Sequence, residues 1–130
     1  MRLLLTSLVC VTLALPAMAK PALRDVAEID DALMAVAIAD ELRKDCDGIS
    51  ARMLRALSRL EGLKGRARDL GYTKDEVKAY VSSDAEKQRM RAKATAWLAK
   101  QGVDPTDSVG FCAFGRDQIK AKTAIGSLLR

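Results

Sequence analysis

Apolar positions recur along residues 20–130 with helical spacing, and no stretch alternates long enough to form a strand. A first helix is predicted from about Val26 to Asp45. Ile29, Leu33, Val36 and Ala37 share one face, and Asp25, Glu28, Asp30 and Asp31 crowd the start, where the helix dipole favours negative charge. Gly48 breaks the pattern. A second helix, about Ile49 to Leu70, carries the clearest stripe, formed by Ile49, Met53, Leu57, Leu60 and Ala67, and Gly71 stops it. Gly62 and Gly65 inside it each cost about 1 kcal/mol relative to alanine, a cost that close approach of a neighbouring helix would offset.

Thr73-Lys74-Asp75-Glu76 has the residue types of a capping box and opens a short helix to about Val81. Ser83 to Glu86 repeats the device and opens a fourth helix to about Gln101, with Met90, Ala94, Trp97 and Leu98 inward. After the turn Gly102-Val103-Asp104-Pro105, a last helix is predicted from about Ser108 to about Ala124, carrying Cys112, Ile119 and Ile125, before Gly126. Short links between amphipathic helices make antiparallel neighbours. The expected fold class is all-α, a compact antiparallel bundle of four to five short helices with one disulfide.

The N-terminal pattern differs. Arg2 precedes an uncharged apolar run from Leu3 to Leu15, then Pro16 and the small-residue junction Ala17-Met18-Ala19. This is the layout of a secretory signal cleaved after Ala19, so residues 1–19 are expected to be a signal peptide and 20–130 a single helical domain. The run is shorter than the roughly 20 apolar residues of a spanning helix. The expected localisation is periplasmic; the alternative is inner-membrane anchoring by an uncleaved signal. Cys10 has no small residue just before it and makes a poor lipidation site.

Export changes the reading of the cysteines. Cys46 and Cys112 are the two that remain after cleavage, and an oxidising compartment favours their pairing. Closing so long a loop stabilises by about 4 kcal/mol in the chain-entropy model. The staple matters because the chain is short and aromatics are few: Tyr72, Tyr80, Trp97, Phe111 and Phe114.

The inventory argues against catalysis. The chain contains no histidine, which removes Ser-His-Asp and Cys-His systems and the commonest general base. It has no C-x-x-C, no zinc-ligand cluster and no phosphate-binding glycine loop. The carboxylate pairs Asp30-Asp31, Asp40-Glu41 and Asp45 with Asp47 read as solvated helix surface. Asp45-Cys46-Asp47-Gly48-Ile49-Ser50 fails as a calcium loop, since its glycine comes fourth and Ala56 stands where a bidentate glutamate belongs. No catalytic residue, cofactor or metal site is expected.

Charge layout adds one positive feature. Residues 20–48 hold four basic and eight acidic side chains, residues 49–70 six basic and two acidic, and residues 84–101 five basic and two acidic. On a helix Arg52, Arg55, Arg59 and Arg66 fall beside the apolar stripe. With Tyr72 they form the candidate partner-binding surface, suited to an acidic protein face, anionic lipid or lipopolysaccharide phosphates. The competing expectation is that the acidic first helix packs against the second and neutralises it. Nucleic acid is not an expected partner, because no aromatics interleave the stripe and the chain is exported.

Taken as a set, Leu23-Arg24-Asp25-Val26, Ile38 to Lys44 with Cys46, Ile49-Ser50-Ala51-Arg52, Leu70-Gly71-Tyr72-Thr73, Glu86 to Arg91 and Ile125 to Leu129 are specific. On them the chain resembles an alphaproteobacterial family of unknown function, numbered 5333 in its series. The resemblance implies a small exported helical protein with no assigned activity, and a link to a respiratory NADH dehydrogenase. The chain offers no cluster-ligand cysteines for redox work beyond the expected disulfide pair. The expected function is therefore a non-catalytic binding or accessory module of the cell envelope, whose partner is an envelope protein or an anionic surface. Peripheral attachment to the inner membrane is the alternative, and an enzyme the remote one.

Overall fold

The structure, a computed structural model, describes residues 19–130. The signal-peptide reading of residues 1–19 therefore falls, but for Ala19, outside the described residues. The described chain is all-α: α1 (Ala27–Asp45), α2 (Met53–Asp69), α3 (Lys74–Ser82), α4 (Asp84–Lys100) and α5 (Ser108–Ala121), with short 3-10 turns at Leu23–Asp25 and Gly126–Leu128.

α1 is the axis of the molecule. Ile38 and Leu42 are almost wholly buried against Ala94 and Leu98 of α4, Phe111 of α5 and the C-terminal Ile125, Leu128 and Leu129. A smaller cluster gathers Leu23, Ile29, Ala67 and Tyr72 at the other end. A disulfide joins Cys46, just past α1, to Cys112 in α5, so the expected pairing is present.

Local chemistry explains the helix ends. Thr73 accepts from the Glu76 amide at 3.1 Å while the Glu76 carboxylate accepts from the Thr73 amide at 2.6 Å, completing the capping box. Ser83 caps α4 only from one side, because Glu86 turns to Arg24 and Arg89 instead. Gly71, at φ +90°, ends α2 in a left-handed turn, and the Tyr72 amide donates back to the Ala67 carbonyl at 3.0 Å.

Three expectations need correction. α2 starts at Met53 rather than Ile49, because residues 50–52 pair with the C-terminal strand-like tail: the Ser50 amide donates to the Arg130 carbonyl at 2.8 Å, and the Arg130 amide returns the bond at 2.9 Å. α5 ends at Ala121 rather than Ala124, where Lys122 turns left-handed at φ 52°. Among the described residues no helix approaches Gly62 or Gly65 closely; none of their atoms lies within 4 Å of the position a Gly62 Cβ would take. The close approaches occur at Gly115, where a Cβ would come 2.7 Å from the Leu42 side chain, and at Gly126, where it would collide with the Gln118 carbonyl.

Candidate functional site: an apolar groove beside an arginine stripe

α2 is fastened at its two ends and left open between them. At its start the Arg52 amide and guanidinium donate to the Leu128 and Leu129 carbonyls at 2.8 and 2.9 Å. At its end Ala67 is buried and Arg66 pairs with Glu28 of α1 at 2.7 Å. Ala67 is the one buried residue of this 17-residue helix.

Of the apolar stripe that the sequence assigns to the core, Ile49 and Ala67 are buried, but Met53, Leu57 and Leu60 between them are not. Met53 and Leu57 are 58% and 56% exposed, and with Leu60 they form one wall of an open groove of about 380 Å³. Leu33 and Val36 of α1 face them; Val81 of α3 and Met90 of α4 close the far side, and Leu128 and Leu129 lie at the floor. Five large apolar side chains are exposed among the described residues: Met53, Leu54, Leu57, Val81 and Val109. Three of these line the groove and Leu54 adjoins it in sequence, so the exposure is concentrated in one part of the molecule. At the rim stand Asp40 and Arg43, paired with each other at 2.5 Å, and Lys87, while Glu86 lines the groove largely buried. Burial opposes the charge of Asp40, but hydrogen bonds from Lys44 and Arg43 outweigh it and hold the carboxyl below its ordinary value.

The four stripe arginines divide. Arg66 is neutralised by Glu28. Arg52 and Arg55 donate only to backbone carbonyls, of Leu129 and Ser127, and neither they nor Arg59 has an acidic partner among the described residues. Neutralisation of α2 by α1 is thus limited to its last turns. Arg55 and Arg59 lie on the opposite side of α2 from the groove, beside Ser58, Leu63 and the C-terminal Ser127.

Tyr72 does not belong to this surface. It is buried in the smaller cluster, its hydroxyl donates to the Pro21 carbonyl, and Lys20 stands 5.0 Å above its ring. Its work is to hold the start of the described chain against α2 and α3, aided by Lys20, which reaches the Gly71 carbonyl at 2.9 Å and Glu76 at 2.7 Å.

A second cluster lay hidden in the sequence among ordinary helix charges. Asp30 is 3% exposed and accepts from Arg89 at 2.5 Å, Lys93 at 2.6 Å and Tyr80 at 3.0 Å. Lys93 also reaches Asp31 at 2.5 Å, and the largely buried Glu86 binds Arg24 and Arg89. Burial works against the Asp30 charge, yet the hydrogen bonds from Arg89, Lys93 and Tyr80 outweigh it and hold its carboxyl below the ordinary value. Burial, reinforced by the bond to Asp30, pushes the Tyr80 hydroxyl up to about 12. Hydrogen bonds to Asp30 and Glu86 raise Arg89. Each shift locks its group in the ionisation state it has at neutral pH, which is the behaviour of a clamp. The only legible signal was an aspartate at an inward position of α1, with basic residues four apart on α4.

Among the described residues no three His, Cys, Asp or Glu side chains gather as metal ligands, and no helix is long and apolar enough to cross a membrane. The model of a family of unknown function (DUF5333) matches residues 21–130. No curated protein and no solved structure matches the chain.

Proposed function

We propose, for a chain that belongs to a family of unknown function (DUF5333), an exported binding module without catalytic chemistry, which receives an apolar helix of another envelope protein in the groove between α1, α2 and α4. The groove carries this reading. Its walls are Leu, Val and Met side chains, and such surfaces take the apolar face of an amphipathic helix. The rim charges of both signs would orient that helix more than attract it.

Export is supported by the layout of residues 2–19 and by the Cys46–Cys112 bond, since disulfides persist in oxidising compartments. N-terminal sequencing of protein from the periplasmic fraction should begin at Lys20; a Met1 start on membrane-bound protein would favour the uncleaved anchor. A non-catalytic role is supported by the lack of histidine and by the absorption of the Asp30 cluster into packing.

The test is a photo-crosslinking residue placed at Leu57, read in the native envelope by mass spectrometry. It should join a discrete envelope protein, whereas the same residue at the exposed Lys78 of α3 should not. Equal adducts at both positions, or only self-adducts, would sink the groove reading.

A further inference from the structure

Gly62 weakens α2 relative to alanine, yet its backbone is ordinary α-helix, so no turn requires it there. Packing does not require it either, since among the described residues nothing lies within 4 Å of the place of its Cβ. What the missing Cβ leaves is space. Gly62 lines a cleft of about 560 Å³ between α2 and the C-terminal segment, with Ser127 and Leu128 on the far side. Arg55, Ser58 and Arg59 line the same cleft, seven, four and three residues before Gly62, positions that share one helix face. The charge of this cleft is not balanced. No carboxylate lines it among the described residues, and residues 1–18 contain no Asp or Glu. Glu61 pairs with Lys64 at 2.6 Å on the other side of the helix, and Glu28 pairs with Arg66 at 2.7 Å. Asp69 stands ten residues beyond Arg59, about 15 Å along the axis. Arg55 donates to the Ser127 carbonyl at 3.5 Å, and the Ser127 hydroxyl donates to the Ala124 carbonyl at 3.2 Å. The donors left to the cleft are therefore those of the two guanidinium groups and of the exposed Ser58 hydroxyl.

We propose that this cleft binds a phosphate group. Arg55 and Arg59 clasp its oxygens, Ser58 donates to it, and the bare Gly62 backbone lets it lie close against α2. Two guanidinium groups one helical turn apart converge on one anion, and their planar forks suit phosphate oxygens. Glycine is the residue that permits close approach of a ligand to the backbone, which gives Gly62 the reason that packing does not. An acidic protein face also offers anions, but a broad face gains nothing from a hole where a Cβ belongs, whereas a compact anion does. The inference goes beyond the proposed function and does not depend on it, because the cleft lies on the opposite side of α2 from the groove. Cross-linking at Leu57 reads the groove, and anion titration reads the cleft.

The full chain, labelled with nitrogen-15, is titrated with inorganic pyrophosphate at constant ionic strength, and its arginine Nε–H and backbone amide signals are followed. Those of Arg55, Arg59 and Gly62 should move together to saturation. Arg55→Gln with Arg59→Gln should weaken binding roughly 30-fold, the loss of charge-assisted hydrogen bonds. Gly62→Leu keeps both arginines and favours the helix, but fills the cleft, and should weaken binding at least about 10-fold. Its amide spectrum away from the cleft should stay that of the wild type. Lys64→Gln removes a cation from the other side of α2 and should change the affinity less than about 2-fold. Dihexanoyl phosphatidic acid separates the sources of the phosphate. Affinity more than about 10-fold above that of pyrophosphate assigns a lipid headgroup, and equal or lower affinity assigns a soluble phosphate. The absence of a saturable shift at Arg55 and Arg59 overturns the proposal. Undiminished affinity in Gly62→Leu, or an oligo-aspartate peptide that binds as tightly as pyrophosphate, overturns it too and makes an acidic protein face the complement of the arginines.

Discussion

α2 and α4 are equal in length, both are basic, and both pack on the acidic α1, yet they attach to it by different means. α4 buries Ala94 and Leu98 in the main core and sends Arg89 and Lys93 to the buried Asp30. α2 buries Ala67 alone and reaches α1 with one ion pair whose partners are each about half exposed. The lesson is that a basic helix beside an acidic one is not thereby neutralised. α1 commits its innermost carboxylate to α4, and of the α2 arginines it pairs with Arg66 alone among the described residues.

The comparison breaks most directly at Asp30. Asp30→Asn should lower stability by about 2–3 kcal/mol in urea unfolding, because Arg89 and Lys93 lose their shared buried anion. Since the folded carboxyl titrates below its ordinary value of 3.8, its contribution is fully present above that value and is lost as pH falls through the lowered one. The wild type and Asp30→Asn should therefore converge in stability as pH drops from about 4 downward. A difference that persists or grows in acid would mean that Asp30 acts through packing alone.

Apolar truncation sharpens the same contrast. Leu98→Ala should cost about 3 kcal/mol, because its side chain is almost wholly buried. Leu57→Ala should cost less than about 0.5 kcal/mol, because more than half of its side chain already faces solvent. Comparable losses in thermal unfolding would place Leu57 in the core in solution and remove the groove.

The smallest effect is expected at the Glu28–Arg66 pair. Glu28→Gln should change global stability by no more than about 0.5 kcal/mol. Amide exchange should nevertheless quicken across α2 and not across α4, since elements with few buried contacts open locally. Uniform exchange in the two helices would show that α2 is held as firmly as α4.

Much of the architecture was legible along the chain. The all-α class follows from period-3.6 apolar spacing, the start of α3 from Thr73 and Glu76, and the ends of α2 and α4 from Gly71 and Gly102. These are local matters, settled within a few residues by capping chemistry and by glycine's access to positive φ. The pairing of Cys46 with Cys112 was also legible, because the one other cysteine, Cys10, lies in the N-terminal apolar run read as a signal. Burial was not. Leu57 and Leu98 look alike in sequence, as inward residues of basic helices, and only the position of α1 and the C-terminal tail leaves one open and buries the other. Tyr72 looks like a surface aromatic until Pro21 folds back to meet its hydroxyl, across 51 positions of sequence. Charge signs can be counted from sequence, but which cation finds which anion depends on distances that exist only once the chain has folded. Local capping and periodicity therefore determined the helices, and tertiary packing alone decided that α4 became part of the core and α2 a surface.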